Sequence, residues 1–226
     1  MNVYEHRIIV YADILGWSNA CRDLPQFTFL QKAADEIANY ARNFSLPIKQ
    51  ALRNAQGVPP KTTEQHAVIR FSFFSDNFAV SAPVDHDHVK MIFKIIAFAT
   101  HELIRVGFLI RGAVTLGGLY HDDAGVIFGP ALVEAVDIEK KACYPRIVCG
   151  DNLIDFLNKT DYKNNVIISD INKNWVTNIA YGSSYAMTDL DKIIENNLGK
   201  LTKFKDKWQY MQDMLPRMYK ASGISE

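Results

Sequence analysis

The segment that decides the fold is Arg7-Ile-Ile-Val-Tyr-Ala-Asp13-Ile-Leu-Gly16. Its run of apolar, largely β-branched residues predicts a buried strand over residues 7–15, and Gly16 ends the run. Asp13 is the one carboxylate in this strand. A carboxylate in such a setting is costly unless it is solvated, paired or bound to a metal. The segment therefore predicts a strand that carries chemistry near its end.

Patterns on the C-terminal side of this strand predict an alternation of helices and hairpins. The predicted core elements are a helix over 27–43, a connection over 44–65 that could include a short helix around 48–55, strands over 67–74 and 78–82 around a turn at Asp76, a helix over 89–105, strands over 108–116 and 126–128, a helix over 131–142 and a strand over 146–149. This order predicts an α+β fold with helices packed on a largely antiparallel sheet.

Weaker patterns continue to the C-terminus. They predict a helix near 151–158, strands near 165–169 and 175–181, and helices near 188–195 and over 200–220. No linker or internal repeat interrupts the chain. We therefore expect one domain over 1–226, with a core at about 5–150 and a C-terminal α/β extension over 151–226.

Composition excludes several classes of protein. The 226 residues carry 25 Lys plus Arg and 25 Asp plus Glu, so the net charge is zero. A chain that coats nucleic acid needs a basic surface, and none is expected here. The N-terminus does not resemble a signal peptide, and the apolar runs are too short to span a bilayer. Three scattered cysteines without a CxxC pair fit a reducing compartment, so we expect a cytoplasmic protein with no membrane partner.

Asp13 and Asp76 form the most informative pair of residues. Each ends an apolar strand, and in a βαββ arrangement the first strand and the following hairpin are neighbours. Two convergent carboxylates and a backbone carbonyl suit a hard cation such as Mg²⁺ or Mn²⁺. Turn aspartates are common, however, and the alternative is that both residues only shape turns.

Four segments, in this order, resemble the class III nucleotidyl cyclases. They are Tyr-Ala-Asp-Ile-Leu-Gly-Trp-Ser over 11–18, Phe-Ser-Asp-Asn-Phe-Ala-Val over 74–80, Arg-Gly-Ala-Val-Thr-Leu-Gly-Gly over 111–118 and Gly-Pro-Ala-Leu-Val-Glu-Ala over 129–135. The resemblance covers roughly residues 5–150 and implies a ferredoxin-like βαββαβ cyclase domain. It implies that Asp13 and Asp76 are catalytic and hold two divalent ions, Mn²⁺ or Mg²⁺, together with the Ile14 carbonyl. Leu15, Gly16 and Trp17 would then bind the substrate phosphates.

Departures from the family pattern bear on the substrate. Ser72 and Val126 occupy the positions that read the base, and neither matches the residues of adenylyl or guanylyl enzymes. Val133 and Asp137 stand where the family's helix carries an asparagine and an arginine. We name Arg146 as the catalytic cation that substitutes for that arginine. Alternative candidates for this cation are Arg111, Arg70, Lys140 and Lys141. The alternative interpretation of Arg146 itself is that it forms a surface salt bridge.

The later pattern Ile-Glu-Lys-Lys-Ala over 138–142 and Tyr-Pro-Arg-Ile over 144–147 resembles the stand-alone pyrimidine cyclases of bacterial Pycsar antiphage systems. This implies conversion of UTP to 3′,5′-cyclic UMP and pyrophosphate as a defence signal. It also implies a homodimer with sites at the interface, dependence on manganese, and a separate effector protein that senses the cyclic nucleotide.

Four other functions stay open at this point. The product could be cyclic CMP, or the chain could be a purine cyclase with an unusual pocket. The missing asparagine and arginine favour a non-catalytic cyclase-homology module that binds a nucleotide or partner. A polymerase-like palm also carries two metal aspartates, but zero net charge argues against it.

Overall fold

The fold is built around β1 (Glu5–Leu15), the central strand of the sheet. The computed structural model describes residues 4–56, 69–182, 187–200 and 204–223. β1 pairs antiparallel with β3 (Asn77–Pro83) on one side and β4 (Leu109–His121) on the other. The remaining elements, in chain order, are α1 (Trp17–Ala20), α2 (Leu24–Gln56), β2 (Arg70–Phe74), α3 (His86–Arg105), β5 (Ile127–Phe128), α4 (Pro130–Lys141), β6 (Ile147–Cys149), α5 (Asp151–Leu157), α6 (Lys163–Val166), β7 (Ile167–Ser169), β8 (Trp175–Thr177), α7 (Met187–Lys200) and α8 (Lys205–Ala221).

The strand order identifies the architecture. Among the described residues the order is β2-β3-β1-β4-β6-β8-β7, with β5 paired to β4 at the side. The β2-β3-β1-β4 part is antiparallel throughout and arises from a βαββαβ chain, which is the ferredoxin-like arrangement. β6 adds to it in parallel with β4, and β8 and β7 extend the sheet. The predicted α+β fold with a C-terminal α/β extension is confirmed.

The alternation of side chains along β1 gives its two faces different roles. Ile8, Val10, Ala12 and Ile14 are buried in the main core with residues of α2 and α3. Ile9 lies on the opposite face and packs against Ala131 of α4. Asp13 is on the same face as Ile9, because side chains two and four residues apart point the same way.

The C-terminal extension has its own apolar cluster beside the ferredoxin-like core. Trp208, Met211 and Leu215 of α8 are buried together with Leu109 of β4 and Ile194 of α7. Leu109 pairs with Leu15 across β1 and β4, so this cluster lies against the end of β1 that carries Asp13. Within the described ranges, no helix has both the length and the apolar character needed to cross a membrane.

Two predicted boundaries in the core were wrong. Residues 44–56 are helical and belong to α2 despite Pro47, and good helix formers dominate residues 49–53 after it. Residues 57–65 of the predicted connection lie outside the described residues. β4 does not end at residue 116 as predicted but continues through Gly117 and Gly118 to His121. At these glycines a side chain would meet Ala131 and Tyr4 at 3.3 Å, so they serve close packing within a strand.

Boundaries in the extension also differ from the prediction. The predicted strands 165–169 and 175–181 shorten to β7 and β8, because residues 163–166 form α6 and the chain leaves the sheet after Thr177. The last helix begins at Lys205, and residues 201–203 lie outside the described residues.

Candidate functional site

Asp13 lies near the end of β1, on the face covered by α4. In the ladder its neighbours are Asn77 of β3 and Arg111 of β4. Its side chain is 19% exposed, so the carboxylate is reachable from solvent but largely enclosed. Gly112 follows Arg111 in β4 and lets that strand approach β1 closely. A Cβ atom on Gly112 would lie 2.2 Å from the Tyr11 carbonyl oxygen. The arginine-glycine pair therefore sets the cation directly against the carboxylate.

Asp76 lies in the turn between β2 and β3, and this turn is attached to the end of β1. The Asp76 carbonyl oxygen accepts a hydrogen bond of 2.7 Å from the Ile14 N–H. Its carboxylate accepts one of 2.8 Å from the Asn77 side chain. The N–H and C=O of one strand residue point the same way, so the Ile14 carbonyl also faces this turn. The structure brings Asp13, Ile14 and Asp76 together where β1 ends, and their role as metal ligands stays a prediction.

Arg111 links Asp13 to a second carboxylate that the sequence did not single out. Its Nη2 donates to Asp13 Oδ2 over 3.3 Å, and its Nε donates to Glu139 Oε1 over 2.7 Å. Glu139 is buried near the end of α4 and pairs with Arg111 Nη2 at 2.6 Å. The only sequence signal for Glu139 is its position on the sheet-facing side of α4, four residues after buried Ala135.

The electrostatics of this edge favour a bound cation. Burial raises the pKa of Asp13, Arg111 opposes the rise, and the charges of Asp76 and Glu139 add to it. The pKa of Tyr11 is raised first by burial and then by Glu139, Asp13 and Asp76. The charges of Asp76 and Glu139 therefore both act on Asp13, and added positive charge would relieve this repulsion.

A hard divalent cation fits this donor set. Asp13 and Asp76 supply carboxylate oxygens, and Ile14 supplies a carbonyl at the same edge. Among the described residues there is no cluster of three or more His, Cys, Asp or Glu side chains at metal-binding spacing. Mg²⁺-type sites commonly use one or two protein carboxylates and complete their shell with water and substrate phosphates. The residues present thus fit ions that bind together with a phosphorylated substrate.

The predicted phosphate-binding residues separate into two groups. Gly16 takes a left-handed backbone with φ of 94°, which turns the chain into α1, and Leu15 and Gly16 line a cavity next to Asp13. The ring of Trp17 lies elsewhere, 5.7 Å from Phe73 and 6.5 Å from Phe27, against α2. The side chain of Trp17 therefore packs in the structure, and only its backbone remains beside the site.

Ser72 and the residue before Val126 are in contact, and the role of Ser72 and Val126 in reading a base stays a prediction. The Ser72 hydroxyl donates to the carbonyl of Gly125, the residue before Val126, over 3.1 Å. It also bonds His121 Nε2 at 2.8 Å, and Ser81 bonds His121 Nδ1 at 2.8 Å. Ser72 is buried, while Val126 is 51% exposed. Ser72 pairs with Ala79, which pairs with Tyr11, so this pair lies two positions along the strands from Asp13.

Arg146 is placed next to the site but is engaged by another residue. It precedes β6, and its carbonyl accepts from the Gly112 N–H over 2.9 Å. Its guanidinium pairs with Asp170, whose Oδ2 also accepts a 3.0 Å hydrogen bond from the Tyr210 hydroxyl. The structure thus directs Arg146 toward the C-terminal extension and sets Arg111 against Asp13.

No protein-family model matches the chain, and no curated protein sequence matches it. Solved structures similar to it include the adenylyl cyclase CyaB from P. aeruginosa, with 12% identity, a TM-score of 0.46, and coverage of 76% of this chain and 91% of that one. The monomeric guanylyl cyclase domain of the RhoGC fusion protein from the aquatic fungus Blastocladiella emersonii has 13% identity and a TM-score of 0.49, over 77% and 95% of the two chains.

A third similar structure is the catalytic core of a rhodopsin-guanylyl cyclase with converted specificity in complex with ATPalphaS, with 14% identity and a TM-score of 0.46 over 77% and 96%. The fold is established by the strand order and register of the chain itself.

Proposed function

We propose that this chain is a nucleotidyl cyclase that converts a nucleoside triphosphate, UTP in the first instance, to a 3′,5′-cyclic nucleotide and pyrophosphate. The observation that carries the proposal is the meeting of Asp13, Asp76 and the Ile14 carbonyl at one edge of a ferredoxin-like sheet, with Arg111 against Asp13. This is the arrangement that the resemblance to class III cyclases implies for a two-metal phosphoryl-transfer site.

The reaction forms one bond and breaks one. The ribose 3′-oxygen bonds to the α-phosphorus, the bond from the α-phosphorus to the bridging oxygen breaks, pyrophosphate leaves with that electron pair, and the hydroxyl proton passes to solvent. Divalent ions held by Asp13, Asp76 and the Ile14 carbonyl would supply positive charge beside the attacking and leaving oxygens. Arg111 contributes a fixed cation at the same edge, oriented by Glu139.

The short side chains at the base-reading positions support a pyrimidine substrate. Ser72 is buried and its hydroxyl already bonds His121 and Gly125, so it does not extend into open space as a base-reading lysine would. Val126 offers an apolar side chain. UTP is the favoured substrate because of the resemblance to the Pycsar enzymes, and CTP is the alternative.

A homodimer with sites at its interface accounts for the exposed apolar residues around α4. Val133 is 60% exposed and Phe128 is 42% exposed, and both line a groove of about 1040 Å³ together with Asp137. Glu139, by contrast, pairs with Arg111 on the sheet-facing side of the same helix. Val133 and Asp137 thus line a surface that does not include Asp13 of their own chain. A second copy of the chain would be needed to bring them next to an Asp13 carboxylate.

The biological role that fits this activity is a defence signal. On the resemblance to Pycsar systems, the chain works in the cytoplasm, uses manganese, and makes cyclic UMP that a separate effector protein senses during phage infection. The effector would not need to bind this chain directly, because the cyclic nucleotide carries the signal between the two proteins.

A non-catalytic module that binds a nucleotide is the second candidate. It is favoured by the pairing of Arg146 with Asp170, which leaves the predicted replacement for the missing arginine in a structural ion pair. The Asp13–Arg111 contact favours the enzyme, because it keeps one cation at the site.

Incubation of the purified protein with Mn²⁺ and each of ATP, GTP, CTP and UTP, with products identified by mass spectrometry, decides between these functions. We expect cyclic UMP. Cyclic CMP would keep the pyrimidine proposal and change the base, whereas a cyclic purine would show that the interpretation of Ser72 and Val126 is wrong. No product from any of the four would favour the binding module.

A further inference from the structure

The C-terminal extension forms one wall of a cavity that opens beside Asp13. The cavity has a volume of about 430 Å³, within the range of small-molecule sites. Leu15, Gly16 and Asn19 line it from the segment that follows Asp13, and Leu109 lines it from β4. The opposite wall comes from the start of α8, where Lys207 and Trp208 lie.

Packing fixes the orientation of Lys207 toward this cavity. Trp208 is 1% exposed and anchors the first turn of α8 in the second apolar cluster. Lys207 is half-buried on the cavity side, whereas Lys205 and Asp206 are exposed. The Lys207 ammonium lies 5.1 Å from the ring centroid of Phe204, which is also part of the cavity wall.

The charge of Lys207 is available to a ligand. In the part of the chain that the structure describes, no carboxylate forms an ion pair with it. Its positive charge nevertheless acts on Asp13, where it opposes the rise in the pKa of that carboxyl group that burial causes. A cation that is half-buried, oriented by a buried neighbour and free of a fixed counter-charge is suited to an anionic ligand.

We propose that this cavity receives the polyphosphate of the nucleotide and that Lys207 binds it. The inference rests on the proposed function and adds the C-terminal extension to the active site. The polyphosphate would lie between Lys207 and the segment Leu15–Gly16, which line opposite walls of the cavity. The extension then supplies a cation from the same chain, on the side of the site opposite β3.

Calorimetric titration of inorganic tripolyphosphate into the full-length protein with Mn²⁺ tests this site without turnover. We expect Lys207→Ala to weaken binding at least tenfold and Lys207→Arg to stay within about threefold of the wild type, because charge-assisted hydrogen bonds to phosphate are strong. Lys205→Ala, two residues away on the exposed side of α8, is the matched control and should bind as the wild type does. Thermal melting of each variant checks that the fold is retained.

Equal affinity of Lys207→Ala and wild type, or no binding of tripolyphosphate by the wild type, would overturn the inference. The cyclase assay separates this result from the proposed function. Cyclic nucleotide production with an unchanged KM in Lys207→Ala would overturn the role of Lys207 and leave the activity standing. Tripolyphosphate binding that depends on Lys207, in a protein that forms no cyclic nucleotide, would support the polyphosphate site and overturn the proposed activity.

Discussion

The Arg111 guanidinium donates a hydrogen bond to the Asp13 carboxylate over 3.3 Å, directly across the β1–β4 ladder. The same guanidinium holds Glu139 of α4. One cation therefore connects the central strand, its neighbour and the helix that covers them. This contact stabilises the edge of the sheet and keeps positive charge beside the carboxylate on which the proposed chemistry depends.

Removal of Arg111 should destabilise the protein. In Arg111→Ala the Glu139 carboxylate, whose side chain is 8% exposed, loses its partner. Loss of one member of a buried pair costs about 3–5 kcal/mol, and we expect about 2 kcal/mol here because Arg111 is 25% exposed and solvent screens the pair. Glu139→Gln added to this variant should recover part of the loss. Urea unfolding of the two single variants and the double variant measures this coupling, and full additivity would argue against it.

His121 should make the stability of the protein depend on pH. Burial, then the charges of Arg7 and Arg70, lower its pKa to about 4, while Asp122 opposes the shift. The unfolded chain takes up a proton near pH 6.5 and the folded chain only near pH 4, so stability is present above pH 6.5 and is lost as the pH falls through this window. The loss has an upper limit of about 3.5 kcal/mol, since the pKa falls from 6.5 to about 4 and one pKa unit corresponds to about 1.4 kcal/mol.

His121→Gln should reduce this loss, because glutamine keeps polar contacts but does not titrate. His101, whose pKa burial also lowers to about 4, contributes equally in both proteins and cancels in the comparison. Urea unfolding of both proteins at pH 7 and pH 5 measures how much the free energy of unfolding falls between these two pH values. An identical fall in the two proteins would show that His121 is not the titrating group.

Ser72 should contribute to stability through His121. In Ser72→Ala the buried His121 Nε2 and the Gly125 carbonyl lose their partner, at a cost of about 1–3 kcal/mol. Ser169→Ala, at an exposed position of β7, is the control and should stay within about 0.5 kcal/mol of the wild type. Chemical denaturation compares the two. A Ser72→Ala protein as stable as its control would mean that these hydrogen bonds are weak.

The proposed homodimer should depend on the exposed apolar residues of α4 and β5. A carboxylate at Val133 introduces an unpaired charge into that surface, so Val133→Asp should weaken association at least tenfold. Leu24→Asp places the same charge on a residue of α2 that is 76% exposed and should leave association unchanged. Light scattering over a concentration series measures the mass. A wild type that stays at 25.6 kDa at micromolar concentration while active would contradict the shared site.

The order of the core elements could be predicted because each carries a distinct local pattern. The apolar run before Asp13 and the two runs around Asp76 each predict a strand, and short polar turns join neighbours. The course of β4 through Gly117 and Gly118 could not be predicted, because glycine usually marks a turn and only the facing residues Ala131 and Tyr4 explain it here. The prediction of one domain over the whole chain stays a prediction.

The sequence could predict those features of the site that depend on backbone position alone. The ends of the strands place Asp13 and Asp76 together, but which arginine contacts Asp13 depends on the direction of the side chains. Arg146 was named as the catalytic cation, and the structure pairs it with Asp170, whereas Arg111 contacts Asp13. Lys207 is nearly 200 residues from Asp13 in sequence, and its basic segment shows no sign of that proximity. The catalytic role of Arg146 stays a prediction.

The central claim is that Asp13 and Asp76 together support the cyclisation of a nucleotide. Cyclic nucleotide formation from UTP with Mn²⁺ should fall by more than about a thousandfold in Asp13→Asn and in Asp76→Asn, because two-metal stabilisation supplies most of the rate. Asp155→Asn, on an exposed position of α5, should retain wild-type turnover. Circular dichroism of each variant checks the fold. Undiminished product in either Asp13→Asn or Asp76→Asn would contradict the account.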